Sequence, residues 1–152
     1  AGLVDSGTLS HGDPERWRAV IETNLLGVAY TVRAVLPTML EQGDGHIVLL
    51  ASVSGREAYA GEPIYAASKW GVVGLGHALR KETVGTGVRV TMIEPGMVDT
   101  PLTRANPYAQ EWMKRADPIK DEDIARAIAF VLAQPAYMAI NELVLRPISQ
   151  EV

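Results

Sequence analysis

Cysteine is missing from all 152 residues of this chain, which excludes a disulfide framework and any thiolate-ligated metal centre. That composition fits a reducing compartment. Histidine is scarce as well. His11, His46 and His77 stand far apart, at no spacing that would gather them around a metal ion, so they read as surface or structural residues and no metal site is expected. Positive charge is not in excess, with 14 Lys and Arg against 18 Asp and Glu and a formal net charge of -4. Arg80-Lys81 and Lys114-Arg115 are isolated basic pairs, better read as solvated helix faces than as a nucleic-acid groove. No signal-peptide pattern opens the chain, and no apolar stretch approaches the roughly 20 residues needed to span a bilayer. The expectation is a protein with no membrane or nucleic-acid partner, cytoplasmic by default. A targeting segment upstream of Ala1 would change that.

What is present is an alternation of strand and helix signals over a length that suits one domain or a large part of one, taken as 1–152. Asp13 as cap and Pro14 at the first helical position start a long helix. It carries Trp17, Val20, Ile21, Leu25, Val28 and Val32 and runs toward Leu40. Gly43-Asp44-Gly45 ends it and leads into a strand from His46 to Ala51. A loop through Gly55 and Gly61 precedes a second long helix that starts at Pro63 and ends near Thr86-Gly87. Val88 to Ile93 clusters its apolar residues, as a strand buried on both faces does. An irregular stretch follows from Pro95 to about Lys120, then an amphipathic helix from Asp121 to Ala133 and a short strand from Leu143 to Leu145. Such alternation predicts a parallel α/β sheet. Gly71, Gly74 and Gly76 lie inside the second helix rather than at a strand-to-helix turn, so they read as close-packing positions and not as a nucleotide loop.

The chemistry concentrates in Tyr65-Ala66-Ala67-Ser68-Lys69, where a phenol and an ammonium four residues apart share one face of a helix. An ordinary tyrosine, with a pKa of about 10, exchanges protons poorly near neutrality. A nearby cation and a helix N-terminus both favour phenolate and are expected to lower that value. Tyr-x-x-x-Lys alone is also common on solvated helix faces. Ser52 stands thirteen residues before Tyr65, where an apolar run ends. The carboxyl end of a strand is where open α/β sheets place ligands. A hydroxyl there can donate to a carbonyl oxygen, although Ser54-Gly55 nearby suits an ordinary loop or cap equally well.

Taken together, these residues resemble the C-terminal half or more of a short-chain dehydrogenase/reductase. The matching pieces run from Ala1-Gly2, through Asn24 in Thr23-Asn24-Leu25-Leu26-Gly27 and Ser52-Val53-Ser54-Gly55, to Tyr65–Lys69 and Pro95-Gly96-Met97-Val98-Asp99-Thr100. The resemblance implies a Rossmann-like, doubly wound parallel sheet, of which the C-terminal portion is present as three strands with flanking helices. It further implies an NAD(P)-dependent oxidoreductase interconverting a secondary alcohol and a ketone or aldehyde, with a slight lean to NADP. In such an enzyme Tyr65 would exchange the proton and Ser52 would orient the substrate oxygen. Lys69 would lower the tyrosine pKa and hold the cofactor ribose, and Asn24 would order a relay water. Ala1, Gly2, Pro95, Gly96, Val98 and Thr100 would contact cofactor beside Tyr65 and Lys69, with Val98 and Thr100 at the nicotinamide carboxamide.

Leu102 to Lys120 is too long for an ordinary connection, and by resemblance it forms a lid over substrate. Tyr108 and Trp112 are its expected contacts, with Ser52, Val53, Met97 and, more weakly, Tyr59 as further pocket walls. The helices bearing Asn24 and Tyr65 are expected to pair with a second copy in a homodimer or homotetramer, using apolar surface at Trp70, Val73 and Leu79. One departure from the family stands out. No glycine-rich phosphate loop is present, nor the acidic or basic residue that selects NAD or NADP, so a protein roughly 85 to 100 residues longer is expected from the size of such domains. The strand from Ile47 to Leu50 would then expose a hydrophobic edge. The competing readings are a non-catalytic dinucleotide-sensing or scaffold protein on the same fold, and a fragment that dimerises without binding cofactor.

Overall fold

The computed structural model describes residues 2–151. The chain opens with an extended segment that leads into a continuous helical rod. Its parts are α1 (Pro14–Ile21), a π-helical segment (Glu22–Leu26) and α2 (Gly27–Gln42). Asp13 caps the rod by accepting from the Glu15 N–H at 3.0 Å, and Gly43 ends it in the left-handed region at φ 66°. The rod spans 29 residues, Pro14–Gln42, and by length and composition is apolar enough to cross a membrane. This corrects the expectation that no stretch approaches that length. The apolar residues have a different task in this fold. Leu25, Val28, Val32, Leu36 and Met39 pack against the sheet, which is how a sheet-flanking helix uses such a stripe.

Strand β1 (Gly45–Leu50) pairs in parallel with β2 (Val88–Pro95), from Gly45 opposite Val88 to Leu50 opposite Ile93. The same strand β2 pairs in parallel with β5 (Glu142–Leu145) on its other side. Among the described residues the sheet order is β1-β2-β5, so β2 is central, and it is buried along nearly its whole length. Successive residues point to opposite faces, and helices cover both. On one face α2 and the long helix α3 (Pro63–Glu82) enclose Ile47, Leu49, Val72, Val90 and Met92. On the other, α6 (Asp121–Leu132) lays Ile124, Ile128 and Val131 over Val48, Ile93 and Leu143. This is the α/β, Rossmann-like architecture that the sequence predicted, with strand ends within two residues of expectation.

The expectations differ from the structure at four places. Helix α3 ends at Glu82 rather than near Gly87, because Thr83 closes a turn that carries Gly85 and Gly87 at φ 77° and 84°. The stretch read as irregular contains α4 (Pro101–Arg104) and α5 (Pro107–Met113), and a small parallel ladder joins β3 (Val98–Asp99) to β4 (Ile119–Lys120). Both short helices begin on a proline behind a polar cap, Thr100 or Asn106, so these prolines act as helix starters. Gly71 and Gly76 are close-packing positions, since added Cβ atoms would fall 2.8 Å from Leu25 and 2.4 Å from Met92, whereas Gly74 has nothing within 4 Å. Finally, Val73 and Leu79 are core residues at 9% and 5% exposure, and only Trp70 of the three expected interface residues is open to solvent.

The outer edge of β1 carries no partner strand among the described residues. Leu50 is 53% exposed there. A shallow groove of about 450 Å³ runs between α2 and that strand, lined by Val28, Thr31, Val35, Ile47 and Val48.

Candidate active site

Strand β1 delivers the chain to the top of the sheet, where the Ala51 N–H still bonds the Ile93 carbonyl at 2.8 Å. Ser52 follows in extended conformation and caps a single 3₁₀ turn, Val53–Gly55. Its Oγ accepts from the Ser54 N–H at 3.1 Å and donates to the Pro95 carbonyl at 3.4 Å. The turn lies hard against α3. A Cβ on Gly55 would stand 2.8 Å from the Lys69 carbonyl oxygen and 2.8 Å from Val73, so only glycine allows this approach. Arg56 closes the turn and clamps it to the sheet. Its guanidinium donates to both carboxylate oxygens of Glu94, at 2.7 Å for Oε1, and to Glu142. Glu94 is fully buried, and a buried carboxylate requires such pairing. The two acidic partners raise the Arg56 pKa further above its ordinary value.

Helix α3 brings Tyr65 beneath this turn and Lys69 one helical turn further on. The Tyr65 ring is half-buried by accessible area, yet its surroundings are dense enough that burial dominates its acidity and raises its pKa. The nearby Ser52 side chain pulls the other way, and the Glu62 carboxylate adds to the rise. The expectation that Lys69 and the helix terminus draw Tyr65 down is not met. Burial of the phenol itself outweighs them. The Lys69 Nζ stands 5.7 Å from the centre of the Tyr65 ring and donates to the Leu50 carbonyl at 3.0 Å. Burial lowers its pKa to about 8, because a buried ammonium is poorly solvated.

Asn24 is 2% exposed within the π-helical segment. Its amide clasps the backbone of Leu3, accepting from the N–H and donating to the carbonyl, both at 2.8 Å, and it also donates to Ser68 Oγ at 3.1 Å. Ser68 in turn donates to the Tyr65 carbonyl at 2.7 Å. Asn24 therefore ties the opening segment to α3, a structural link that the sequence did not suggest. A π-helical register is itself a common mark of functional helices.

A cavity of about 640 Å³ opens above these groups. Ser52, Val53, Met97, Tyr108 and Trp112, the residues read as substrate contacts, all line it together with Tyr65, Tyr59 and Gly96. Lys69 and Asn24 lie behind its wall. Val98 and Thr100 do not line it: the Val98 carbonyl and the Thr100 backbone are bound by Thr103, and Thr103 faces the cavity instead. Pro95 is buried under Ser52. Gly2 is half-buried, 3.8 Å in projected Cβ distance from the Asn24 amide oxygen. Ala1 lies outside the described residues. Sequence reasoning missed Glu62, Asn106 and Gln150, which also line the cavity. Glu62, three residues before Tyr65, was open to inference from helical spacing. Gln150, whose Oε1 accepts from the Met97 N–H at 2.8 Å, carries no local signal.

The residues present fit the nicotinamide end of a dinucleotide. Lys69 makes one hydrogen bond among the described residues, to Leu50, and an ammonium has three N–H donors, so two remain for ribose hydroxyls. Gly96 lets backbone pass close to the cavity, where a Cβ would meet Gln150. Nothing comparable exists for the pyrophosphate, since no glycine-rich loop joins a strand to a helix in this chain.

The cavity thus lies at the carboxyl ends of β1 and β2, where open α/β sheets place ligands. The chain belongs to the short-chain dehydrogenase family, whose model matches residues 1–111. An uncharacterized oxidoreductase of Staphylococcus saprophyticus is 45% identical over 148 residues, covering 97% of this chain and 61% of that protein. An uncharacterized oxidoreductase of Staphylococcus aureus is 42% identical, with 97% and 62% covered. Among solved structures, the closed form of a serine dehydrogenase complexed with NADP+ matches with a TM-score of 0.95 at 34% identity, over 100% of this chain and 64% of that one. Serine dehydrogenase from Escherichia coli matches at 0.84, also at 34% identity, with 100% and 62% covered. The chain thus spans about three fifths of the relatives it matches.

Proposed function

We propose that the polypeptide carrying this chain is an NAD(P)-dependent oxidoreductase that interconverts a secondary alcohol and a ketone or aldehyde, with Tyr65 as general acid/base. The observation that carries this reading is the convergence of the Ser52 and Tyr65 side chains in one cavity, with Lys69 buried directly behind them. Two hydroxyls can then hold one substrate oxygen. Bound nicotinamide would supply or receive the hydride at the substrate carbon.

In the reducing direction Tyr65 donates its proton to the oxygen as negative charge develops there. A phenol whose pKa burial has raised is protonated near neutrality but is a weak acid, so the transfer would draw on the negative charge developing on the substrate oxygen and on a nearby cation that favours phenolate. The Ser54 N–H anchors the Ser52 Oγ at 3.1 Å, and the hydroxyl hydrogen, which donates at a long 3.4 Å to the Pro95 carbonyl, would turn to that same oxygen when substrate binds and stabilise the charge developing there. Lys69, with a pKa of about 8, carries positive charge at neutral pH. It would hold ribose hydroxyls and stabilise the phenolate left after transfer. Tyr108, Trp112 and the α4–α5 segment close over the site and exclude water.

The neighbours solved with NADP support NADP ahead of NAD. The serine dehydrogenase likeness supports small hydroxy acids as the first substrates to try. Exposed Trp70 and Tyr30, at 52% and 69%, support pairing with a second copy through the rod and α3. The test is fluorescence titration of the full-length polypeptide with NADPH and NADH, followed by turnover on a panel of small secondary alcohols and their ketones. Binding with turnover supports the proposal, and binding without turnover on any of them favours a dinucleotide sensor instead.

A further inference from the structure

Among the described residues, the segment that covers the cavity is held to the loop before α3 by one polar contact. Asn106 is 7% exposed and bonds in two directions. Its Oδ1 caps α5, accepting from the Tyr108 N–H at 2.9 Å and more weakly from Ala109. Its Nδ2 reaches across the cavity mouth and donates to Glu62 Oε1 at 2.6 Å. Glu62 is the residue immediately before α3 and, three positions ahead of Tyr65, lines the same cavity. Beside this bond, the Tyr108 ring rests on Gly61, which holds φ at 91° and would bring a Cβ to 3.4 Å from the ring. The loop before α3 is therefore a seat for the lid. It is itself tied down, because the Gly61 carbonyl accepts from the Gly7 N–H at 2.7 Å.

We infer that Asn106 and Glu62 form the latch of the lid: Asn106 is a positioning residue whose bond to Glu62 holds α4–α5 closed over the substrate beside Tyr65. This inference rests on the oxidoreductase reading only for its kinetic consequence. The latch itself is a statement about which contact holds α5 in place. A short charge-assisted hydrogen bond at a partly dehydrated edge is among the stronger polar contacts. It is also reversible, since Glu62 is only half-buried and water can replace Asn106 when the lid lifts.

Replacing Asn106 by aspartate separates the two roles of this side chain. Aspartate caps a helix as well as asparagine does, but it cannot donate to Glu62 and places carboxylate against carboxylate. In the full-length polypeptide, N106D is expected to raise amide hydrogen exchange across residues 107–113 by about tenfold, the scale of one charged hydrogen bond. KM is expected to rise by a similar factor while kcat changes little. E62Q alone keeps an acceptor oxygen and should preserve protection. Combined as N106D/E62Q, the bond reforms with donor and acceptor exchanged, and both readouts should return toward wild type. Unchanged exchange in N106D, or no recovery in the double variant, would overturn the latch. Exchange is read without any turnover, so a failed latch and a failed enzyme assignment give different results.

Discussion

At the residue scale the two titratable members of the site are tuned by burial before any ligand arrives. Lys69 has its pKa lowered to about 8 by burial, against about 10.4 for an exposed lysine. Between those values the unfolded chain holds a proton that the folded chain has released, so stability must rise with pH across that window and the cost of burying charge is felt below it. Lys69→Met removes this dependence. The stability advantage of the variant over wild type should therefore shrink by about 3 kcal/mol between pH 8 and pH 10.5, measured by urea unfolding at each pH. A difference that stays flat would mean that the ammonium is better solvated than its burial indicates. The pairing of Tyr65 with Lys69 was legible in the sequence because the i, i+4 spacing places both on one helix face. The direction of their pKa shifts was not, because it depends on how closely the chain folds around them. Asn24 was singled out by the family resemblance alone, and its grip on Leu3 joins residues 21 apart and leaves no trace in local pattern.

At the element scale, the Ser52 turn depends on its fit against α3. Gly55→Ala sets a methyl 2.8 Å from the Lys69 carbonyl oxygen and from Val73, and backbone cannot yield as a flexible side chain can. Overpacking of this kind costs about 1–3 kcal/mol, so the denaturation midpoint should fall. Activity should fall with it because Ser52 moves. A variant with unchanged midpoint and unchanged kcat would show that the turn is not held by this contact. The major elements were readable from apolar spacing and caps, as at Asp13-Pro14 and Gly43. The β3–β4 ladder was not, since two-residue strands carry no periodicity. The lid helices escaped for a different reason: Pro101–Arg104 and Pro107–Met113 are one or two turns long, too short for an apolar period to show. Glu62 and Asn106 met only through tertiary packing, 44 positions apart in sequence.

At the scale of the whole molecule, the sheet ends on β1 with Leu50 exposed and an apolar groove beside it. Unpaired hydrophobic edges recruit other chains. Residues 1–152 expressed alone should bind an apolar dye such as ANS strongly and aggregate at micromolar concentration, and dye binding should drop when the polypeptide is produced at full length. A soluble, monomeric, dye-silent 1–152 would contradict that expectation. The parallel α/β sheet was readable from the order of elements, its doubly wound form was implied by the family resemblance, and the burial of β2 on both faces followed from its clustered Val90, Met92 and Ile93. The choice of cofactor was not readable at any scale, because the acidic or basic residue that selects NAD or NADP is absent from the sequence.

The central claim is that Tyr65 is the proton-transfer residue of a nicotinamide-dependent oxidoreductase. Tyr65→Phe in the full-length polypeptide tests it most directly, with NADPH binding and steady-state reduction of a ketone that the wild type turns over measured on the same preparation. Loss of the phenol should leave the dissociation constant within about twofold and lower kcat by about 10²–10⁴, the range for a positioned general acid. Turnover retained at the wild-type level with intact cofactor binding would contradict the account.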